Sequence, residues 1–409
     1  MERMLGLALE GGGAKGAFHM GAVKALLEEG YHFDGVAGTS IGAVNGAVIV
    51  QGDFELGYSW WEKMENSLLF DIDQTQIEKI MNKKIDKEVV GYLTSKIKDI
   101  IENRGLDTSR MREVLSTLVK EEKIRSSQMD LGIVTVSVSD LKPLELYKED
   151  IPEGMMVSYL MASANLPVFK IEPIEGKFYI DGAFYDNCPI NMLVRKGYKE
   201  IIAIRTFGIG LVRKIEDENV KVINIVPSED LGNILNFDNK LIQSNLKMGY
   251  YDAMRAIKGL KGKKYYIEPG VRESTFLYSL LALPKKSIKE IGEMMGLPQM
   301  EPKRMLLERI VPEAAHMLSL PVTATYQDII LGILEGVAKE REIERYKIRK
   351  FSSFVEEIKA TESKEKNSAS SLILNIAGKT KLKSVFAKEM ILKKIEEELL
   401  GVLRAEKFE

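Results

Sequence analysis

The sequence predicts a three-layer α/β/α sandwich on a mainly parallel central sheet, followed by a helical C-terminal region. Two observations carry the prediction. The first half alternates short apolar strands with helices, and the order strand, helix, strand, helix favours a parallel sheet covered on both faces. After about residue 272 the β-branched strands stop and helical patterning takes over. The chain has 409 residues, 45% of them hydrophobic, enough for a large core and more than one domain. The boundaries read from this change are a motif-bearing α/β domain over 1–272 and a helical domain of unassigned role over 273–409.

Leu5-Gly6-Leu7-Ala8-Leu9 reads as a buried strand, broken by Gly11, Gly12 and Gly13. A helix is expected from about Ala14 to Glu29, with Gly30 at its C-terminal cap. Phe33 to Thr39 reads as the second strand, and a helix starts directly after Ser40. Residues 66–125 are charged and helix-patterned, a helical insertion that would lie over the site, with a helix start at Asp107-Thr108-Ser109. Leu131 to Val138 and Pro143 to Tyr147 read as a strand and its extended return. Met155 to Ser163 reads as a helix. Phe178-Tyr179-Ile180 leads into Asp181-Gly182-Ala183, and Ile201 to Arg205 and Val222 to Val226 read as further strands. A helix from about Asn239 to Ile257 and an extended Tyr265-Tyr266-Ile267 are expected to close the domain. Further on, Ser287 with Glu290 reads as a capping box before a helix stopping at Gly296. Thr325 with Asp328 reads as the start of a long helix to about Lys359. Residues 362–371 read as a loop, and a last helix runs from about Lys383 to Arg404.

Composition excludes several classes. The net charge is −2, which gives no electrostatic footprint for nucleic acid. Cys188 is the single cysteine, so no intrachain disulfide forms, and this fits a reducing compartment. The three histidines, His19, His32 and His316, are too few for a histidine-rich metal site. No segment reads as a secretory signal, and no apolar run approaches the roughly 20 residues that span a bilayer. The expectation is a cytoplasmic protein, with peripheral membrane contact left open.

Three elements carry chemistry. Gly38-Thr39-Ser40-Ile41-Gly42 is a G-x-S-x-G placed where a strand hands over to a helix. The tight turn needs small flanking residues, and it lifts the serine to a helix N-terminus that favours developing negative charge. Gly11-Gly12-Gly13-Ala14-Lys15-Gly16 also joins a strand to a helix, and its glycines let backbone N–H groups approach an oxyanion closely. Lys15 either adds positive charge there or anchors the loop by a hydrogen bond. Asp181-Gly182-Ala183 ends a strand with a carboxylate. A serine nucleophile needs a base, and a histidine triad is poorly supported. Only His316 follows Asp181, in the helical region, and His19 falls inside the first helix. That leaves Asp181 as direct general base, with its pKa raised by desolvation.

In order and spacing, the three elements resemble the patatin family of phospholipases and lipid acyl hydrolases. Ala162-Ser163-Ala164-Asn165-Leu166-Pro167-Val168-Phe169 is similar to that family's A-S-x-A-x-P-x-x-F segment. Asp186-Asn187-Cys188-Pro189 resembles the N-x-P after its aspartate. The resemblance covers residues 5–195 by motif. It implies a serine esterase acting in lipid degradation, of phospholipase A or lysophospholipase type, on a lipid substrate through an acyl-enzyme. Ser40 and Asp181 would be the catalytic dyad. Gly11, Gly12 and Gly13 would form the oxyanion hole, supported by Lys15, Gly16, Gly38, Gly42 and Gly182. It implies no cofactor and no metal. Lys15 stands where the family often has arginine, and Asn165 where a small apolar residue is usual. A lipid acyltransferase, or a catalytically weak lipid-binding protein of the same fold, are the alternatives.

Competing readings exist for each element. Gly11-x-Gly13-x-x-Gly16 fits a dinucleotide fingerprint with Asp34 as its acid, but Asp34 precedes the second strand, and that reading leaves Ser40 and Asp181 unexplained. Ser40 alone could be a helix N-cap and Asp181 alone a turn residue. His19 and His32 read as partly exposed, His316 as packed, and Cys188 as a small buried hydrophobe. The clusters Lys339, Arg341, Arg345, Lys347, Arg349, Lys350 and Lys379, Lys381, Lys383, Lys388, with Phe351, Phe354 and Phe386, suggest a basic, aromatic membrane face. A solvated face balanced by Glu340, Glu342 and Glu344 is preferred. Homo-oligomerisation stays open.

Overall fold

The computed structural model describes residues 4–69, 106–361, 380–404 and 408. The expected loop over 362–371, and most of the expected insertion over 66–125, lie outside the described residues. The chain divides into two compact units, Met1–Ile257 and Lys258–Glu409.

The first unit opens with β1 (Leu5–Leu9), a short 3-10 turn over Gly13–Gly16, and α1 (Ala17–Glu28). Gly30, at φ 81°, lies just past its end. Next come β2 (Gly35–Thr39), α2 (Ile41–Val50), α3 (Phe54–Glu62) and α4 (Asn66–Leu69). After 106 follow α5 (Ser109–Leu118), α6 (Glu121–Ser126), β3 (Asp130–Ser137), β4 (Lys142–Tyr147) and α7 (Met156–Ser163). The unit finishes with β5 (Tyr179–Asp181), α8 (Ile190–Lys196), β6 (Glu200–Ile204), β7 (Lys221–Ile225) and α9 (Asn239–Lys258).

The seven strands form one sheet in the order β4-β3-β2-β1-β6-β7, with β5 added against β3. β1, β2, β3, β6 and β7 run parallel, while β4 and β5 are antiparallel to β3. β1 and β2 are central, so almost all their residues are buried, and continuous apolar runs rather than alternation result. Helices cover both faces. Gly46 of α2 lies over Val36 and Leu131, whereas Leu193 and Met192 of α8 pack over Gly6 and Gly132. α1 and α9 approach so closely that a methyl group on Gly21 or Gly249 would overlap the opposing backbone.

The second unit contains β8 (Tyr266–Ile267), α10 (Glu273–Leu281), α11 (Lys285–Met294), α12 (Pro302–Met305) and a π turn over Leu306–Ile310. Then come α13 (Val311–Met317), α14 (Tyr326–Glu340), β9 (Ile348–Arg349), α15 (Phe351–Ala360) and α16 (Thr380–Val402). Three expectations are corrected here. The extended segment at Tyr266–Ile267 pairs with β9 of this unit instead of closing the first. Ser287 lies inside α11, which begins after Pro284, so it caps nothing. The long helix expected from Thr325 keeps its capping box but ends at Glu340. Arg349 is buried against Glu357 at 2.9 Å and bonds carbonyls of Lys347 and Glu344, which pulls the chain into a strand before α15.

The arginines of the basic cluster are drawn into the unit, whereas Lys339, Lys347, Lys350 and Lys388 are exposed. Arg341 donates to the carbonyls of Ile358 and Thr361, Arg345 to that of Lys264, and Lys347 to Glu357. Phe351 and Phe354 are core residues, packed against Phe276 and Tyr265, so neither presents an aromatic face to solvent. The side chains of Lys379, Lys381, Lys383 and Phe386 lie outside the described residues. Among the described residues no helix is long and apolar enough to cross a membrane.

Candidate active site

Register brings the two sequence motifs together. Thr39, the last residue of β2, pairs with Val134 of β3, and Asp181, the last residue of β5, pairs with Thr135. β5 thus takes over beside β3 where β2 stops, running the opposite way, and the carboxyl ends of β2 and β5 abut. Ser40 follows one and Asp181 terminates the other.

Ser40 has φ 57° and ψ −127° and occupies the N-cap position of α2. A non-glycine residue there carries backbone strain of about 1–3 kcal/mol, which persists only when its surroundings dictate it. They do. The Ser40 N–H donates to Ser163 Oγ at 2.9 Å, and Ser163 Oγ donates to the Val134 carbonyl at 2.7 Å. Thr39 Oγ1 donates to the Asp186 carbonyl at 2.7 Å. A methyl group on Gly38 would overlap the backbone of Gly42, one on Gly42 the Leu9 carbonyl, and one on Gly182 the Val134 carbonyl. The small residues of the motif are therefore a steric requirement of the elbow.

Asp181 is fully buried. Its Oδ1 accepts the Ala183 N–H at 2.8 Å. Its Oδ2 is buried without a hydrogen-bond partner in good geometry, although the Ser40 hydroxyl lies near enough to favour the charged form. Burial dominates and pushes the carboxyl up to about 7, against the pull of Ala183 and Ser40. The site thus holds a buried carboxyl whose pKa is raised well above the usual carboxylate range, with one oxygen unengaged beside a serine. Asn165 brackets β5, accepting the Asp181 N–H at its carbonyl and donating from Nδ2 to the Tyr179 carbonyl, both at 2.9 Å.

The glycine loop is anchored from several sides. Gly13 has φ 56° and passes so close to the Ile234 carbonyl that no side chain fits. Lys15 Nζ lies 3.4 and 3.3 Å from the carbonyls of Thr206 and Phe207, which makes it a loop anchor. Gly16 packs on Ile41 and Trp61. Gly11 requires a correction: its N–H donates to the Asn187 carbonyl at 2.9 Å, so it is committed and offers nothing to an oxyanion. Gly12 and Gly13 remain the donor candidates of the loop.

Sequence reading missed the second layer of this loop. Glu10 is 1% exposed, and its Oε2 accepts Thr206 N–H at 2.8 Å, Phe207 N–H at 3.1 Å and Arg205 Nε at 2.9 Å. Thr206 Oγ1 donates to the Gly11 carbonyl at 2.6 Å. An acid directly before a glycine run, with an arginine at the end of a later strand, was the available signal. The histidines also differ from expectation. His19 is fully buried in α1, 3.3 Å from Asn45 Nδ2, and burial drives its pKa down to about 3, so it is neutral. His316 is exposed beside Glu313 instead of packed. Cys188 is buried, as a small hydrophobe would be.

An apolar cavity with about 790 Å³ of unfilled space, part of it open to solvent, is lined in part by Ser40 and Gly13. Ile41, Val44 and Val48 of α2 form one wall, Met111, Val114, Leu115 and Leu118 of α5 another, and Trp60, Trp61, Leu166 and Phe237 are among the remaining lining residues. From Ser40 to Val48 it follows two turns of helix, roughly 12 Å. Asn45, the polar residue of that face, is held by Trp61 Nε1 at 2.9 Å and by the Gly16 carbonyl at 3.0 Å.

A doubly covered parallel sheet with a serine on a strand-to-helix elbow, facing a glycine loop and a buried carboxyl, defines a three-layer α/β domain with one composite site. Residues 7–194 match the family described as patatin-like phospholipase. It is 26% identical over 312 residues to the patatin-like phospholipase domain-containing protein ZK370.4 of Caenorhabditis elegans, covering 70% of this chain and 20% of that protein. It is also 26% identical over 207 residues to the lysophospholipase NTE1 of Mycosarcoma maydis, covering 49% of this chain and 9% of that protein. The chain thus spans a fifth or less of the length of these relatives. Among solved structures it is similar to VipD from Legionella pneumophila, at 15% identity and a TM-score of 0.40, over all of this chain and 90% of that one.

Proposed function

We propose that the first unit is a serine lipid acyl hydrolase that cleaves fatty-acyl esters, with phospholipid or lysophospholipid as substrate. Ser40 Oγ attacks the ester carbonyl while Asp181 takes its proton. The N–H groups of Gly12 and Gly13 and the N-terminus of α2 stabilise the oxyanion. Asp181 returns the proton to the leaving alcohol, which leaves the acyl chain on Ser40. Asp181 then takes a proton from a water that attacks the acyl carbonyl, and passes it to Ser40 Oγ as the acyl–Oγ bond breaks and the fatty acid leaves. The acyl chain occupies the cavity along α2.

The observation that carries this reading is the abutment of β2 and β5 on β3, which sets a buried carboxyl beside the strained serine that lines an apolar cavity. A base near pKa 7 suits proton transfer at neutral pH, and similarity to a lysophospholipase supports the chemistry. The test is fatty-acid release from phospholipid and from a soluble short-chain ester by wild type, Ser40→Ala and Asp181→Asn. The proposal expects turnover by wild type only, with losses of at least about 10³-fold in both variants. Full activity in Ser40→Ala would overturn it.

A further inference from the structure

The carboxyl edge of the sheet carries a row of exposed apolar side chains that neither the dyad nor the cavity uses. The chain leaves β6 into a loop whose Phe207, Ile209, Leu211 and Val212 are between 42 and 58% exposed. Val226, directly after β7, is 44% exposed. On the other side of Ser40, β3 continues three residues past the level of Thr39, from Val134 to Ser137. Its turn into β4 then presents Leu141, 74% exposed. Parallel β2, β1, β6 and β7 share that edge, so these side chains flank the site on both sides.

The loop's backbone is fixed, and Arg205 lies 5.6 Å over the centroid of the Phe207 ring. Glu10 holds the N–H groups of Thr206 and Phe207, and Lys15 reaches their carbonyls. Leu211 N–H donates to the Ala183 carbonyl at 2.9 Å, and Asn187 N–H to the Leu211 carbonyl at 2.5 Å. Phe207 and Leu141 both have positive φ, 48° and 53°, a conformation that suits glycine or asparagine and disfavours bulky residues. Two large hydrophobes are thus presented to water from backbone positions that do not suit them. Arg213 and Lys214 follow the row, both exposed. The nearby carboxylates of Glu216 and Asp217 are occupied by Arg195 and Lys199.

We propose that this edge is the surface on which the protein docks to a lipid bilayer containing anionic headgroups. Phe207, Ile209, Leu211, Val212 and Leu141 enter the acyl boundary, and Arg213 and Lys214 contact the headgroups. The inference rests on the lipid-hydrolase reading and gives it its partner. Ser40, which lines the apolar cavity, follows β2 at that edge, so docking there brings the bilayer to the residue that attacks the ester. The adjoining bases favour an anionic surface over a second copy, which carries the same bases.

The test uses the full chain as Ser40→Ala, so that binding is read without turnover, in sedimentation with vesicles of phosphatidylcholine alone or mixed equally with phosphatidylglycerol. Binding to the mixed vesicles, weakened by salt, is expected. Ile209→Asp/Val212→Asp should lower it roughly tenfold or more, given the apolar area each side chain would bury. Phe207→Asn, which suits the backbone, should lower it without disturbing the fold, and Arg213→Gln/Lys214→Gln should abolish the preference for phosphatidylglycerol. In the active protein, Ile209→Asp/Val212→Asp should keep soluble-ester turnover within twofold while losing vesicle hydrolysis in parallel with binding. Unchanged vesicle binding in the loop variants overturns the inference, as does a dimer in light scattering that the same variants dissociate. If wild type turns over neither ester, the hydrolase reading fails, and the sedimentation result still judges the loop.

Discussion

Replacing Asp181 by Asn keeps the shape of the site and removes its charge. The expected consequence is a pH-dependent gain in stability. Burial raises the folded-state pKa from 3.8 to about 7, so the folded chain holds a proton that the unfolded chain has released. Stability from this group is fully present below about pH 4 and is lost as pH rises through about 7. A shift of about 3 units corresponds to about 4 kcal/mol of penalty on the charged form, and Asp181 is fully buried, so solvent screening does not dilute it. Between about pH 5 and about pH 8.5, wild type should lose about 3 kcal/mol that Asp181→Asn retains. Asp186, whose carboxyl burial pushes up to about 6, is present in both proteins and cancels in the difference. Thermal unfolding followed in parallel at the two pH values should show the melting-temperature gap between variant and wild type widening by roughly 6–12 °C toward alkaline pH. A gap that stays constant with pH would refute the reasoning, because it would mean that Asp181 is charged across the range.

The same carboxyl sets the rate. Turnover of a soluble ester should fall as pH drops through about 7, because the base must be ionised; a pH-independent rate down to about pH 5 would exclude Asp181 as base. Ser40→Gly should be more stable than Ser40→Ala by roughly 1–2 kcal/mol in urea unfolding, since glycine accepts φ 57° without strain. Val48→Phe should block the deep end of the cavity, reducing hydrolysis of long-chain esters at least about tenfold with little change on short ones, as read from a chain-length series. Gly42→Ala should cost about 3 kcal/mol or more, or prevent folding, because its methyl would meet the Leu9 carbonyl; a circular-dichroism melt checks it.

Local signals in the sequence located the motifs well. The G-x-S-x-G elbow, the glycine loop and Asp181 each lie at a strand end, and apolar runs bounded by glycine mark those ends. The first unit's strands were legible because central parallel strands are apolar throughout. Less was legible where distant residues decide. That Gly11 spends its N–H on Asn187 depends on a segment about 176 residues away, and Glu10 acts on Thr206 across a similar gap. The break between α14 and α15 was hidden because helical periodicity continues through it, and a buried arginine with its carbonyl partners overrides that periodicity. The exposed row at Phe207 to Val212 reads as an ordinary apolar segment in sequence, because alternation with Gly208 and Gly210 says nothing about which side meets water.

The most direct measurement of the central claim is intact-mass spectrometry after incubation with a fluorophosphonate, with peptide mapping of the adduct. Wild type should take one label, on Ser40. Ser40→Ala should take none, and Asp181→Asn should label slowly or not at all. A label on Ser40→Ala equal to that on wild type, or a wild-type adduct mapped to another residue, would contradict the dyad.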